Sequence, residues 1–305
     1  MLRDFFRRAS IRREPAGPPR IVKYKIQDVT AMSSDAGSNA ITRAKRVVVK
    51  VGTSTLTYEN GRLNLRRIET LVRVLSDIKN SGKELILVTS GAIGVGTGQL
   101  GLKERPKDVV GKQAAAAVGQ CELMYSYDKQ FSTYGHVTAQ VLLTLDVVED
   151  EQRKRNVVNT INRLLEYGAV PIVNENDTVS YEEIESAESR TFGDNDTLSA
   201  IVAVLTEADA LVMLTDIDGL YTADPRSHAD AKQIPVVEKI DGALRGAASG
   251  AGSARGTGGM ITKLNAAEIA TNAGIPAVVM NGANPRRLYD LFDGVPVGTL
   301  FRAGD

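Results

Sequence analysis

A lysine inside an apolar run is the first residue whose chemistry asks for an explanation. In Arg46-Val47-Val48-Val49-Lys50-Val51-Gly52-Thr53-Ser54, one cation interrupts a stretch of β-branched residues, and a glycine-hydroxyl turn follows at once. Such a run, without polar alternation, marks a central parallel strand covered on both faces and opening at its carboxyl end into a ligand crevice. Burying an ammonium there is costly unless an anion meets it, and the backbone N–H groups of Gly52 to Ser54 can bind that same anion. The alternative is a lysine snorkelling from an edge strand. A second lysine carries a similar signal. Gly256-Thr257-Gly258-Gly259-Met260-Ile261-Thr262-Lys263 runs into a helix start. Unpaired N–H groups there, with a lysine one turn inside, suit a polyphosphate. The surrounding Gly/Ala/Ser composition of residues 245–259 also reads as a flexible linker.

Other chemistries find little support. Cys121 is the only cysteine and the two histidines, His136 and His228, are far apart, so neither an internal disulfide nor a zinc-type cluster is expected, and no metal ligand is assigned. There is no Walker-type G-x-x-x-x-G-K-[ST]. Gly96-Thr97-Gly98-Gln99-Leu100-Gly101 matches the dinucleotide pattern G-x-G-x-x-G, with Glu122 near the spacing of a ribose-binding acid. That fingerprint needs its first glycine in the turn directly after a strand, and Thr89 to Val95 intervene.

Lys/Arg and Asp/Glu both number 37, but residues 1–44 hold nine basic and four acidic residues, leaving 28 against 33 in the remainder. An acidic body is a poor match for general nucleic-acid binding. With 43% hydrophobic content over 305 residues, no apolar run long enough to span a membrane and one cysteine, the chain fits a cytoplasmic globular protein.

The elements that must position the two lysines follow a βαβ rhythm. Residues 1–44 carry Arg pairs, Pro15, Pro18 and Pro19 without sustained periodicity, and are expected to be disordered, an extension upstream of a start at Met32 or else a targeting segment. Asn64 is placed to cap a helix whose inner face is Leu65, Ile68, Leu71, Val72, Leu75 and Ile78. The strand Leu85-Ile86-Leu87-Val88 then opens into Thr89-Ser90-Gly91-Ala92. An alanine-rich helical region, 113–131, has no legible role, and 137–143 reads as a strand or hairpin arm. A helix over about 149–166 leads to strand 169–173 and the polar tail Asn174-Glu175-Asn176-Asp177. An acidic loop, 182–188, precedes Phe192-Gly193-Asp194-Asn195-Asp196 and an apolar helix. Strands 211–214, ending in Thr215-Asp216, and 277–280 complete the body. In a parallel sheet the loops after these strands converge on one crevice.

Taken together, Val49 to Ser54, Val88 to Ile93, Asn174 to Asp177, Gly193 to Asp196, Leu220 to Arg226 and Gly256 to Lys263 resemble the glutamate kinases, a branch of the amino acid kinase family, in the same order over residues 45–302. The resemblance implies a three-layer α/β/α sandwich around a mainly parallel sheet, with an amino-acid-binding lobe over about 45–190 and a nucleotide-binding lobe over about 191–302. It implies transfer of the ATP γ-phosphoryl group, with Mg2+, to the side-chain carboxylate of L-glutamate, on the route to proline.

By that likeness Lys50 and Lys263 contact the phosphates and Asp196 holds both lysines; the simpler role for Asp196 is a helix N-cap. Ser90 with Gly91, Asp177 and Asn195 bind glutamate. Gly52, Thr53, Thr215, Asp216 and the run Thr257, Gly258, Gly259, Met260, Ile261, Thr262, Lys263 bind ATP. Asp177 is the anion for the substrate ammonium, or else only a turn residue bonded to its own backbone. A γ-carboxylate is already ionised at neutral pH, so no general base is required.

The resemblance further implies feedback by proline, hand-off to a glutamyl phosphate reductase and a homo-oligomer. Many bacterial members carry a second, RNA-modification-type domain, which is not expected here because the chain ends at Asp305. The rival readings are a kinase for acetylglutamate or aspartate, and a non-catalytic amino-acid sensor.

Overall fold

The computed structural model describes residues 36–58, 60–180, 194–228, 230–248 and 259–304. The elements in chain order are α1 (Ala36–Arg43), β1 (Arg46–Val51), α2 (Thr53–Leu56), α3 (Leu65–Asn80), β2 (Glu84–Val88), α4 (Ala92–Gln99), α5 (Val109–Thr133), β3 (Thr138–Leu143), α6 (Asp146–Glu149), α7 (Glu151–Glu166) and β4 (Val170–Glu175). They continue with α8 (Asn195–Leu205), β5 (Ala210–Thr215), β6 (Leu220–Tyr221), β7 (Gln233–Ile234), β8 (Val236–Val237), α9 (Gly242–Ala248), α10 (Met260–Asn272), β9 (Ala277–Asn281), α11 (Arg287–Phe292) and β10 (Thr299–Phe301).

Eight strands form one sheet in the order β3-β4-β2-β1-β5-β9-β10-β8, and β6 pairs with β7 in a small antiparallel ribbon. From β3 to β9 every pairing is parallel; β10 is antiparallel to β9 and parallel to β8. β1 lies in the middle, with Lys50 in register between Val88 of β2 and Met213 of β5. The expected parallel sheet is therefore present. Residues 137–143 are a parallel strand paired with β4, not a hairpin arm.

The period of two along β1 divides the core. Val47, Val49 and Val51 pack on one face with α3, α5 and α11, while Val48 packs on the other with α7, α8 and α10. Lys50 shares the Val48 face, so the strand's own geometry aims it at α8 and α10. α3 is capped as expected, the Asn64 side chain accepting from Arg67 N–H, but Leu65 points to solvent.

Disorder was expected through residue 44, yet Ala36–Arg43 is helical and Ile41 and Ala44 are buried against the α3/α11 face. A helix of eight residues has too few turns for periodicity to reveal it, and tertiary burial supplies its stability. Residues 1–35 lie outside the described residues. The glycine pattern at 96–101 has a packing role: a Cβ on Gly96 would fall 1.7 Å from the Ala115 carbonyl oxygen, and one on Gly119 would fall 1.8 Å from that of Ala92. These glycines let α4 and α5 approach backbone to backbone. Among the described residues, no helix is long and apolar enough to cross a membrane.

Candidate active site

The carboxyl ends of β1, β2, β4 and β5 share one edge of the sheet, and the first turns of α8 and α10 meet there above Lys50. Asp194 caps α8, its side chain accepting from Thr197 N–H at 2.8 Å. Asp196, two residues on, is thereby free to turn inward. The simpler role for Asp196, an N-cap, is thus filled by a different aspartate.

Asp196 is the hinge of a buried ion triad. Lys50 Nζ lies 2.6 Å from Asp196 Oδ1, and Lys263 Nζ donates to Oδ2 at 3.0 Å. Thr262 Oγ1 donates to the same Oδ2 at 2.8 Å. The residues are 7%, 1% and 7% exposed for Lys50, Asp196 and Lys263, so the charges interact with little solvent screening. Burial by itself would raise the Asp196 pKa; the two ammonium groups overcome it and hold the carboxyl well below the usual carboxylate range. Within the triad two cations face one anion, a positive excess that suits an incoming phosphate.

The other half of the crevice is polar rather than ionic. Asn195 Nδ2 donates to the Thr89 carbonyl and, at 2.7 Å, to Asn174 Oδ1. Asn174 Nδ2 donates in turn to Gln120 Oε1 at 2.9 Å, and Thr89 Oγ1 shares a hydrogen bond with the buried Tyr127 hydroxyl at 2.9 Å. The α5 region without a legible role therefore braces the ends of β2 and β4. Gln120 and Tyr127 were missed, and Asn174 was placed in the polar tail without a role, because their partners are far away in sequence; a Gln within an alanine-rich helix was a local sign.

Ser90 Oγ donates to the Val51 carbonyl at 3.0 Å, and Thr53 Oγ1 donates to Ser90 Oγ at 3.3 Å, which ties the loop after β1 to the loop after β2. Gly91 has φ +98°, and a Cβ there would press on the Thr53 methyl at 3.0 Å, so this turn demands glycine. Asp177 lies at the mouth beyond β4. Burial raises its pKa to about 6, opposed by the field of Arg105. Asp194 is raised as well, by burial and then by the Asp196 charge beside it.

On the β5 side, Thr215 Oγ1 donates to Asp216 Oδ1 at 3.1 Å, with Thr215 buried and Asp216 exposed. Gly259 is the N-cap of α10, and Met260 turns its side chain into the core. Gly52 lies within reach of the triad: a Cβ placed on it would sit 3.6 Å from Lys50 Nζ. Thr257 and Gly258, and the acidic loop 182–188, lie outside the described residues.

The amino acid kinase family model matches residues 45–281. A glutamate 5-kinase of Clostridium perfringens (strain 13 / Type A) is 56% identical over 264 residues, covering 87% of this chain and 97% of the relative. One from Listeria innocua is 52% identical, covering 86% of this chain and 94% of the relative. A longer glutamate 5-kinase, from Thermoanaerobacter sp. (strain X514), is 52% identical over 84% of this chain and 67% of its own length. Among solved structures, the UMP kinase from Bacillus anthracis superposes with a TM-score of 0.59 at 18% identity, over 86% of this chain and 97% of that one. The carbamate kinase from Giardia lamblia bound to AMP-PNP gives 0.61 at 14%, over 86% of this chain and all of that one. At such identities these structures speak to the fold.

Proposed function

The chain belongs to the amino acid kinase family, and from that premise we infer that it phosphorylates the side-chain carboxylate of L-glutamate with ATP, giving L-glutamyl 5-phosphate and ADP. The observation that carries the chemistry is the Lys50–Asp196–Lys263 triad. A γ-carboxylate oxygen attacks the γ-phosphorus, the bond from that phosphorus to the bridging oxygen breaks, and the electron pair leaves on ADP. No proton has to move. What the protein contributes is alignment and charge neutralisation, which is how phosphoryl transfer is generally catalysed. Asp196 keeps both ammonium groups at fixed positions so that no reorganisation is needed as charge shifts toward the leaving phosphate.

Gly52, Thr53 and the N–H groups opening α10, with Thr215 and Asp216 on the β5 side, are the proposed ATP contacts; Thr257 and Gly258 belong to the same proposal. Ser90, Gly91, Asn195 and Asp177 are the proposed glutamate contacts, Asp177 pairing with the α-ammonium. The sheet supports two functional halves of one body, β3-β4-β2-β1 facing the amino acid and β5-β9-β10-β8 facing the nucleotide.

Among the described residues no group of three or more acidic, histidine or cysteine side chains is arranged to hold a metal, and Asp196 is already engaged by two lysines. That donor set fits Mg2+ brought in on the nucleotide rather than held by the protein alone, with Asp216, an exposed carboxylate after β5, as a residue that would help hold it. When bound it neutralises charge on the β- and γ-phosphates.

The wider proposal is a cytoplasmic enzyme that opens the route to proline, hands its acyl phosphate to a reductase and is inhibited by proline at the glutamate pocket. A homo-oligomer is supported by α5, whose outer face exposes Val110, Ala114, Ala117, Val118, Cys121 and Tyr125, an apolar stripe at helical spacing. Asp177 favours a free amine over an acetylated one. The experiment is purified protein with ATP, Mg2+ and a panel of glutamate, aspartate and acetylglutamate, the acyl phosphate being trapped with hydroxylamine. Hydroxamate with glutamate is expected at a rate at least about 100-fold above the other two; a preference for acetylglutamate, or no hydroxamate at all, overturns the reading.

A further inference from the structure

A second cationic cleft lies on the opposite face of the sheet from the triad. It has a volume of about 590 Å³ and is lined by Tyr58 and Asn64, by Arg66, Arg67 and Thr70 of α3, and by Ala283 to Arg286 of the loop between β9 and α11. Three arginines line it and, among the described residues, no acid does. Neither Arg66 nor Arg286 has a carboxylate partner among the described residues. Three guanidinium groups drawn together around a concavity repel one another, and each presents a planar fork of donors matched to phosphate or carboxylate oxygens. The volume is that of a site for a small metabolite.

The cleft and the crevice share a wall. Arg67 Nη1 donates to the Ser54 carbonyl at 3.1 Å, inside α2, the turn that follows Lys50 and Gly52. Gly282, at the root of the cleft's other loop, lies so close to α2 that a Cβ on it would fall 2.9 Å from Thr55 Oγ1. On its far side the same turn reaches the crevice through Thr53 and Ser90.

We propose that this arginine cleft binds a small metabolite anion carrying at least two negative charges, as phosphate or carboxylate groups, and that its occupancy is transmitted to the crevice through Arg67 and α2. An anion that draws the Arg67 guanidinium away from Ser54 loosens α2, and so weakens substrate binding without touching the triad. By thermodynamic linkage the substrates weaken the anion equally. The binding claim stands on the cleft alone and does not depend on which amino acid is phosphorylated.

The test uses the full chain and two probes, inorganic tripolyphosphate for a phosphate source and citrate for a polycarboxylate one, titrated calorimetrically without Mg2+. Wild type, Arg66→Ala/Arg286→Ala and Lys50→Ala/Lys263→Ala are compared. At least one probe is expected to bind the triad variant about as well as wild type, and to lose roughly tenfold or more in affinity in the arginine variant. Which probe binds identifies the source of the anion. In the turnover assay, with Mg2+ held in excess of the probe, that anion should raise the glutamate or ATP KM about fivefold in wild type and leave the arginine variant unchanged, with kcat little altered. Equal binding of both probes to wild type and the arginine variant, or no binding to the triad variant, overturns the site. An anion that binds the cleft without moving either KM overturns the coupling.

Discussion

Asp177 and Asp196 are two sheltered carboxylates on the same edge of the same sheet, and their acidities move in opposite directions. Burial pushes both upward. At Asp177 the field of Arg105 opposes it, and the pKa settles at about 6. At Asp196 two lysines in direct contact reverse the sign. Burial alone therefore does not determine what a carboxylate can do; the charge it is sealed in with does. The triad side is an ionised cluster already paired before any ligand arrives. The β2/β4 side is held by the neutral chain Asn195–Asn174–Gln120, with Asp177 as the carboxylate proposed to meet a ligand's cation.

The largest expected effect breaks the ionic half. Asp196→Asn leaves the Asp194 cap in place and removes the carboxylate that bridges two buried lysines. Turnover should fall roughly 10²–10³-fold, and stability should drop by about 3–5 kcal/mol, because a buried pair has lost one partner. Bound nucleotide should return part of that stability, since phosphate supplies the missing negative charge. Measured kcat and Tm, with and without ATP, decide this, and near-normal turnover would remove Asp196 from the proposed machinery.

Next in size is the pH response of the other carboxylate. Below about pH 6 Asp177 takes up a proton and loses its charge; if that charge pairs with the substrate ammonium as proposed, the glutamate KM should rise toward tenfold per pH unit. Asp196 stays ionised throughout that range, so saturating turnover should vary far less. A glutamate KM that is flat from pH 7.5 to 5, or one that rises as steeply in Asp177→Asn as in wild type, would contradict the contrast between the two aspartates.

The smallest expected effect concerns Asp194. Asp194→Ala should cost about 1 kcal/mol by urea denaturation, the usual worth of a helix cap. Asp194→Asn keeps the acceptor and removes a charge that Asp196 repels, so its stability should stay within about 0.5 kcal/mol of wild type. If the Asn variant loses as much as the Ala variant, the charge of Asp194 matters in its own right.

Much of the crevice was legible in the chain because its parts sit at strand ends, where local pattern is strongest. The run 46–54 located Lys50 and its turn, and the glycine-rich approach to Lys263 marked the start of a helix. The resemblance supplied the link between them through Asp196. Less legible were the features whose cause is distant. Ala36–Arg43 reads as polar linker because its stability comes from Ile41 and Ala44 docking on a surface made of α3 and α11. Gly96 mimics part of a nucleotide fingerprint because close helix packing and close phosphate approach both require a missing Cβ.

What the sequence by itself determined was the alternation of elements and their handedness of connection, since hydrophobic period, caps and turn residues act over a few residues at a time. A parallel sheet with its loops on one edge follows from that alone. Only the tertiary structure decided which aspartate caps α8 and which turns inward, that Lys50 faces α8 and α10 rather than α3, and that Gln120 and Tyr127 on α5 brace strands more than 35 residues away from them. These outcomes depend on distances between groups remote in the chain. Electrostatic and hydrogen-bond energies respond to those distances and to the exclusion of water, neither of which a linear pattern records.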